Sequence, residues 1–570
     1  MGLSATLANS SAALNVFSTG LGVSGNNLAN AATPGFAREE LSLRSGVMQA
    51  GVRQSVNLHL ESRLHSAATG AASSGVTAEL FAGLERVLNE LTDGDLSSAL
   101  SNFSSSVGAV IAEPNSDPLR QSLVEEGAAL ADNFRSLFSR AAELGGDLNT
   151  RAGELVAEAN TLIEEVQGLN TEIVILERGG NSHSDASQLR DHRYAAMQRL
   201  SEIVPLEFRE TKYGAVELRS GDDWLVLGNS IQTLELVEPT IDAQNPPLRM
   251  PAPRLRTSRT NSTIDPGGEL GAVLEGSDRI IGGFLDDLDG LAAGLIETVN
   301  RVHAGGRGSE GHTALTAART VDDPTASLAD SVSVHGLPFA PSHGGFTLTV
   351  VNEATGAETD TRIDVDLDGL GANDTSLNDL IASLDAVDGV SAGVDSRGRL
   401  TLTAASGRAF HFADDTSGAL SALGMNHFFD GRNASTIDLS TPLKTNPRLV
   451  AVGQGGGPGD NSNALALAAA LAGPMNDSQA AARDPELRGK TLDGRLAEIV
   501  GAVGRGSAAE RALAEAATSH RDALASQREQ FSGVSLDEEA VRIMELQRQY
   551  QASARVISVT DTLFDTLLNL

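Results

Sequence analysis

Cysteine is missing altogether from the 570 residues. That excludes disulfides, thiolate metal sites and cysteine nucleophiles together. Positive charge is scarce: 42 Lys and Arg stand against 75 Asp and Glu, a formal net charge of −33. Phosphate backbones and anionic lipid both require clustered cations, so nucleic acid is a poor candidate partner. Aromatic side chains are few, 16 Phe, 3 Tyr and 1 Trp against 59 Gly, which points to aliphatic, small-residue cores. No apolar run approaches the ~18–20 residues that span a bilayer, and no membrane insertion is expected. No charged side chain or histidine precedes Arg38, so the basic stretch that opens a secretory leader is absent. The chain is expected to be soluble and, if exported, to use a route that cleaves no such leader.

What is present exceeds one hydrophobic core, because single cores stop growing near ~250–300 residues. Both ends carry a seven-residue repeat. Leu7, Leu14, Leu21 and Leu28 are seven apart, with Leu3 and Phe17 between them and Ser10 and Ser24 in the remaining places. At the other end Leu536, Ile543, Tyr550, Ile557 and Phe564 repeat in the same way, with Leu546 and Leu567 on the complementary row. Each is a narrow apolar seam of about four heptads. Period alone fits two separately docked helices as well as a coiled-coil pair. The first helix would stand poorly alone, since Gly20, Gly22 and Gly25 each cost up to ~1 kcal/mol relative to Ala. With no charge on any face it reads as a helix enclosed by protein, ordered only once neighbouring subunits bury it. Pro34 and Gly35 suit the centre of a type II turn that ends this helix, and Phe36 anchors an extended segment.

The stretch "LGVSGNNLANAATPGFAREE" resembles the N-terminal signature of the flagellar rod, hook and hook-associated axial proteins, with Asn30, Pro34, Gly35 and Phe36 at its fixed places. At the other end "SGVSLDEEAVRIMELQRQYQASARVISVTDTLFDTLLNL" is similar to the C-termini of the first hook-associated, or hook–filament junction, family. The resemblance implies terminal helices paired as a coiled coil in the inner wall of a tube, and export unfolded by the flagellar type III apparatus. It also implies a structural adaptor that joins hook to filament outside the cell. The partners implied are further copies of the chain, hook protein, a second hook-associated protein and an export chaperone. Another axial component, such as hook protein or flagellin, is the alternative within this class. A secreted enzyme or carbohydrate-binding module on a filament-type base is the alternative outside it.

Between the ends, helical period dominates from Glu79 to about Arg178, with Leu155, Leu162, Leu169 and Leu176 seven apart and Val166 and Ile173 alongside. Short strands follow from Leu206 ("GAVELRS", "WLVLGN"), then helix again up to a "VNxxH" motif ending at His303. Residues 344–431 read as a compact insert in the order β-β-α-β-β-β, closing on "LGMNHFFDG". The expectation is a multidomain, mainly α chain. It has a terminal coiled-coil domain (1–45 with 525–570), a helical bundle (46–205, 265–315 and 440–524), a β-hairpin segment (206–264) and a β-rich outer domain (316–439).

Motifs that could carry chemistry have plainer readings. "DVDLDG", Asp364 to Gly369, has the acids of a calcium loop, but Thr375 stands where an EF-hand needs Glu, and alternation makes the acids the wet face of a strand. "GKT" at Gly489–Thr491 has Asp484 where a phosphate loop needs Gly, and "GQGGGPGDN" at Gly453–Asn461 lacks a strand–helix setting and reads as a link. His183 and His192, beside Asp185 and Asp191, fit no common ligand spacing. No catalytic, cofactor or metal residue is assigned, and the expected sites are the seam residues and the turn.

Overall fold

A computed structural model describes the chain except residues 1, 34, 45–48, 90–94, 179–183, 240–251, 265, 331–335, 371–373, 458, 476–488 and 569–570. Helix α1 (Leu3–Asn30) leads into a hairpin, β1 (Glu39–Arg44) and β2 (Gln49–Gln54), followed by α2 (Leu58–Asn89), α3 (Leu96–Ala112), α4 (Asp117–Arg178) and α5 (Ser184–Ile203). Strands β3 (Glu207–Glu210), β4 (Val216–Ser220), β5 (Asp223–Leu227) and β6 (Ser230–Ile231) make one antiparallel sheet, and β7 (Leu234–Val237) pairs with β8 (Arg254–Thr257). Then come α6 (Gly268–Glu275), a π-helical turn and α7 (Gly282–Ala304).

The insert contains β9 (Ala314–Thr316), β10 (Gly344–Asn352), β11 (Glu358–Val365), α8 (Leu377–Asp385), β12 (Val390–Val394), β13 (Leu400–Ala404) and β14 (Arg408–Ala413). From Gly344 this is the order read from the alternation. Two three-stranded sheets result, β11-β10-β14 and β12-β13-β9, around a core that includes Phe346, Phe410 and Phe412. Short elements α9 (Ala419–Leu423), β15 (Phe429–Asp430), β16 (Asp438–Leu439) and α10 (Thr441–Thr445) precede the closing helices α11 (Ser462–Ala472), α12 (Leu492–Ser532) and α13 (Leu536–Leu568). The molecule is mostly helical with several small sheets.

Two compact units form, one from residues 1–82, 145–280 and 506–570, the other from 83–144 and 281–505. In the first, α1 packs along α13. A single chain therefore covers one side of α1. The line most deeply buried on α1 is Val16, Gly20, Val23 and Asn27, spaced 4-3-4, rather than the leucine seam beside it. In the C-terminal half of α4 the buried line is Ala152, Val156, Ala159, Ile163, Val166, Asn170 and Ile173; of the leucines one step away, Leu155 is buried as well, while Leu162, Leu169 and Leu176 are half-buried. Small and β-branched residues occupy the line of closest approach, and longer leucines flank it.

One device recurs where helices meet strands. An asparagine side-chain amide presents one donor and one acceptor, as a peptide group does, and can pair with both backbone groups of a strand residue. Asn27 holds Glu39 in this way (2.9 and 2.9 Å), Asn160 holds Leu234 (3.0 and 2.8 Å), Asn170 holds Val216 (2.7 and 2.9 Å) and Asn300 holds Phe429 (2.8 and 2.9 Å). Each residue so held is the first of its strand: β1, β7, β4 and β15. The clamps thus fix where pairing begins and meet the backbone groups that a strand end would otherwise bury unpaired.

Candidate functional site

On α1 the sequence-predicted seam residues Leu7, Leu14, Phe17 and Leu21 are half-buried, and Leu28 is 43% exposed. On α13, Ile543, Leu546, Ile557 and Phe564 are half-buried, while Leu536, Tyr550 and Leu567 are exposed. The two helices approach most closely at Gly20, where a Cβ would lie 3.1 Å from Leu546 Cδ1. Gly22 and Gly25 face open space. The Asn30 side chain donates to Asn26 of the same helix, and Asn27 ties the helix to β1. Pro34 lies outside the described residues. Around it Phe36 N–H donates to Thr33 O (3.2 Å) and Gly35 has φ +82°, the glycine conformation of a type II turn. Arg528 donates to the Gly35 carbonyl at 2.8 Å, and Phe36 is buried.

A feature absent from the heptad reading lies on the other face of α13. Val541, Met544, Val556, Val559 and Leu563 are exposed and fall on one side of the helix. A surface helix normally turns polar residues to that side. This stripe gives the terminal pair apolar surface that water does not favour, while the exposed side of α1 is uncharged and carries Ser4, Asn9, Ser11, Asn15, Ser18 and Thr19.

At the base of the pair, buried polar groups converge. Asn27 holds the backbone of Glu39 and also donates to Glu539 Oε1 (3.2 Å). Gln54, opposite Glu39 in the β1–β2 register, donates to Asp191 Oδ1 (2.8 Å) and Ser187 O (3.1 Å). Arg38 N–H donates to Ser532 O (2.7 Å), and Arg528 pairs with Glu61 (2.6 Å). Burial raises Glu39 from its ordinary value and pushes Asp191 up to about 7, against hydrogen bonds that hold each down.

In the second unit the motifs ending at His303 and beginning at Leu423 interlock. Besides its clamp on Phe429, Asn300 accepts from Phe428 N–H (2.9 Å). His303 accepts from Ala451 N–H on Nε2 (3.0 Å), which leaves Nδ1 to donate to Asn426 O (2.8 Å). Asn426, at φ +47°, donates to the carbonyls of His303, Ala304 and Gly306. Burial lowers His303 and His411 to about 4, so both are neutral structural histidines.

The remaining motifs resolve into local structure. Backbone N–H groups of Gln454, Gly455, Gly456 and Ser462 all donate to the Asp460 carboxylate, so the glycine run is an ordered turn filled by its own anion rather than a link. Lys490 of the "GKT" pairs with Glu498, while Asp484 lies outside the described residues. Asp364 is on the wet face of β11, but Asp366 and Asp368 lie past its end, where with His343 they bring ligand atoms within 4.8 Å of one another on a solvent-facing loop. His192 is exposed, and His183 lies outside the described residues. Among the described helices none is long and apolar enough to cross a membrane.

The clamps at Asn27, Asn160 and Asn170 went unread because an asparagine inside a helical period looks like an ordinary polar position. Asn300 stood within a quoted motif but without a role.

A family model described as the flagellar hook-associated protein FlgK helical domain matches residues 81–316, and one described as the flagellar basal body rod FlgEFG protein C-terminal matches 525–570. Flagellar hook-associated protein 1 of Salmonella typhimurium is 22% identical over 588 residues, with all of both chains covered, and that of Escherichia coli K12 is 21% identical over 598, also with all of both covered. The Bacillus subtilis protein of that name is 25% identical over 232 residues, 37% of this chain and 45% of its own length. Among solved structures, the flagellar hook junction protein FlgK from Burkholderia pseudomallei aligns with TM-score 0.49 and 16% identity, over 83% of this chain and 100% of that one. Two of these relatives run along the whole chain, which is thus similar from end to end to flagellar hook-associated protein 1.

Proposed function

We propose that this protein is the structural adaptor that seats the flagellar filament on the hook, outside the cell. The observation that carries the reading is the terminal pair: two helices joined within one chain, with an uncharged outer face on α1 and an apolar stripe on α13 that the chain itself leaves exposed. Adjacent copies bury that stripe, each Val, Leu or Met contributing about 1.5–3 kcal/mol when fully covered. The pair forms a coiled coil in the inner wall of the flagellar tube. The rest of the chain divides into a helical bundle (46–205, 265–315, 440–524), a hairpin segment (206–264) and a β-rich domain (316–439).

Hook protein and a second hook-associated protein are the axial neighbours. The chain reaches them through the export apparatus with a dedicated chaperone. Its work is adhesion, which agrees with polar side chains that bond to the chain's own backbone, as those of Asp460 and His303 do.

Deleting the gene tests the reading. Cells should keep intact hooks, carry no attached filament and release flagellin into the medium; normal filaments would refute it. A chain lacking residues 344–431 separates the adaptor from a module-bearing alternative, because an adaptor still joins hook to filament without that insert.

A further inference from the structure

The joint at the base of the terminal helices holds more buried acceptors than donors. Both carboxylate oxygens of Glu39, Oε2 of Glu539 and Oε1 of Gln54 are buried without a hydrogen bond in the structure, and Glu39 and Glu539 are 1% and 2% exposed. The Gln54 amide cannot turn over to help, because its nitrogen already serves Asp191 and Ser187. Ser187 and Asn26 stand nearest Glu39 as donors and offset only part of its burial. A buried acceptor left unpaired costs about 1–3 kcal/mol, more when charged. Against these four acceptors Arg38 Nε is an unpaired buried donor at the joint, so acceptors remain in excess.

We propose that protons supply the missing donors: Glu39 and Asp191 act as a proton-operated latch that grips α1, the turn at Gly35 and the start of α13 when protonated, and loosens when both ionise. A neutral carboxyl at Glu39 gains an O–H that can donate to Gln54 Oε1, its partner across the hairpin, and removes one of two facing negative charges.

The charges facing the latch come from every element packed on it. Arg38, just before β1, turns its Nη atoms to Glu40 and Glu538, and Arg528 on α12 serves Glu61 and the Gly35 carbonyl. Glu539 on α13 adds a further acid against Asn27. His65 on α2, kept neutral down to about 4 by burial and by Arg528, does not change charge above that pH. The cations are therefore spent on other partners, and the buried acids must meet each other.

The sign follows from linkage. Carboxyls whose folded-state affinity for protons is raised bind protons in the closed joint that they release on opening, so the joint is tightest near pH 4 and weakens as pH rises through about 7. The second unit runs the other way. His303 and His411, lowered to about 4, are neutral when folded and charge on unfolding, so that unit gains stability as pH rises from about 4 to 6.5.

Hydrogen exchange on the full-length purified chain between pH 5 and 8, corrected for the intrinsic pH dependence of exchange, reads both. Amides of residues 36–42 and 187–193 should lose protection with rising pH, approaching about tenfold per pH unit where one proton is linked. Those of β10 and β14 should not lose it. A Glu39→Gln, Asp191→Asn chain, whose amides carry permanent donors, should hold the joint closed with a flat profile. A flat wild-type profile at the joint, or a double variant with the wild-type slope, overturns the latch. Should the double variant fail to fold, Asp191→Asn alone must flatten the profile, and if that too is unfolded the wild-type slope decides.

Discussion

Helical asparagines at strand starts carry much of the fold's specification, and Asn170 shows what one of them holds. Its amide serves both backbone groups of Val216, and its oxygen also accepts from Arg193 Nη1 (2.9 Å), a guanidinium with no exposure to solvent. Asn170→Leu keeps the approximate volume, strands both backbone groups of Val216 and leaves Arg193 Nη1 with the Gly214 carbonyl alone. At about 1–3 kcal/mol for each buried group left unpaired, stability in urea should fall by about 3 kcal/mol or more, whereas Glu164→Gln on the exposed face of α4 should change it by less than about 0.5 kcal/mol. A loss below about 1 kcal/mol for Asn170→Leu would show that the clamp is ornamental. At this scale the sequence was least legible. Asn30 was picked out by its place in a signature, and its side chain bonds to Asn26, while Asn27, three residues earlier, holds the start of β1. Nothing in periodicity separates the two, because both are polar positions at the end of one helix and only the partner strand distinguishes them.

Helices and strands were easier to read, because hydrophobic period survives whatever the partner is. The β-β-α-β-β-β order of 344–413 and the terminal helices were visible for this reason. The direction in which each helix faces was not. Leucine marks a seam strongly in sequence, yet on α1 and α4 the innermost line belongs to Val, Ile, Ala, Gly and Asn, since close approach favours small side chains and leaves leucine to flank the contact. The three glycines of α1, alike in sequence, therefore differ in kind. Gly22→Ala and Gly25→Ala meet open space and should each stabilise α1 by about 0.5–1 kcal/mol. Gly20→Leu must displace Leu546 and should destabilise the pair. Amide exchange of residues 10–27 in the free chain measures all three, and equal effects at positions 20 and 22 would remove the argument for close approach.

Across the whole molecule, the deficits noted first acquire a common explanation. A charge-free start and an exposed apolar stripe near the end are liabilities in a free subunit and assets in one built to be enclosed. The acidic remainder keeps the chain soluble until then. The family resemblance was legible because signatures at chain ends persist in sequence. The α13 stripe was not, since within one helix the residues that meet a chain's own partner and those that meet a neighbour share the same chemistry.

The absence of cysteine makes the decisive measurement direct. A single thiol placed by Val559→Cys sits in the stripe, 59% exposed, and Leu370→Cys, 76% exposed, provides a reference on the insert. Maleimide labelling, read by mass at each engineered site, compares free chain with isolated flagella. The expected result is rapid labelling of both thiols in the free chain and loss of labelling at 559 alone after assembly. Equal labelling at 559 in flagella and free chain would contradict the claim that the stripe is the surface neighbouring subunits cover.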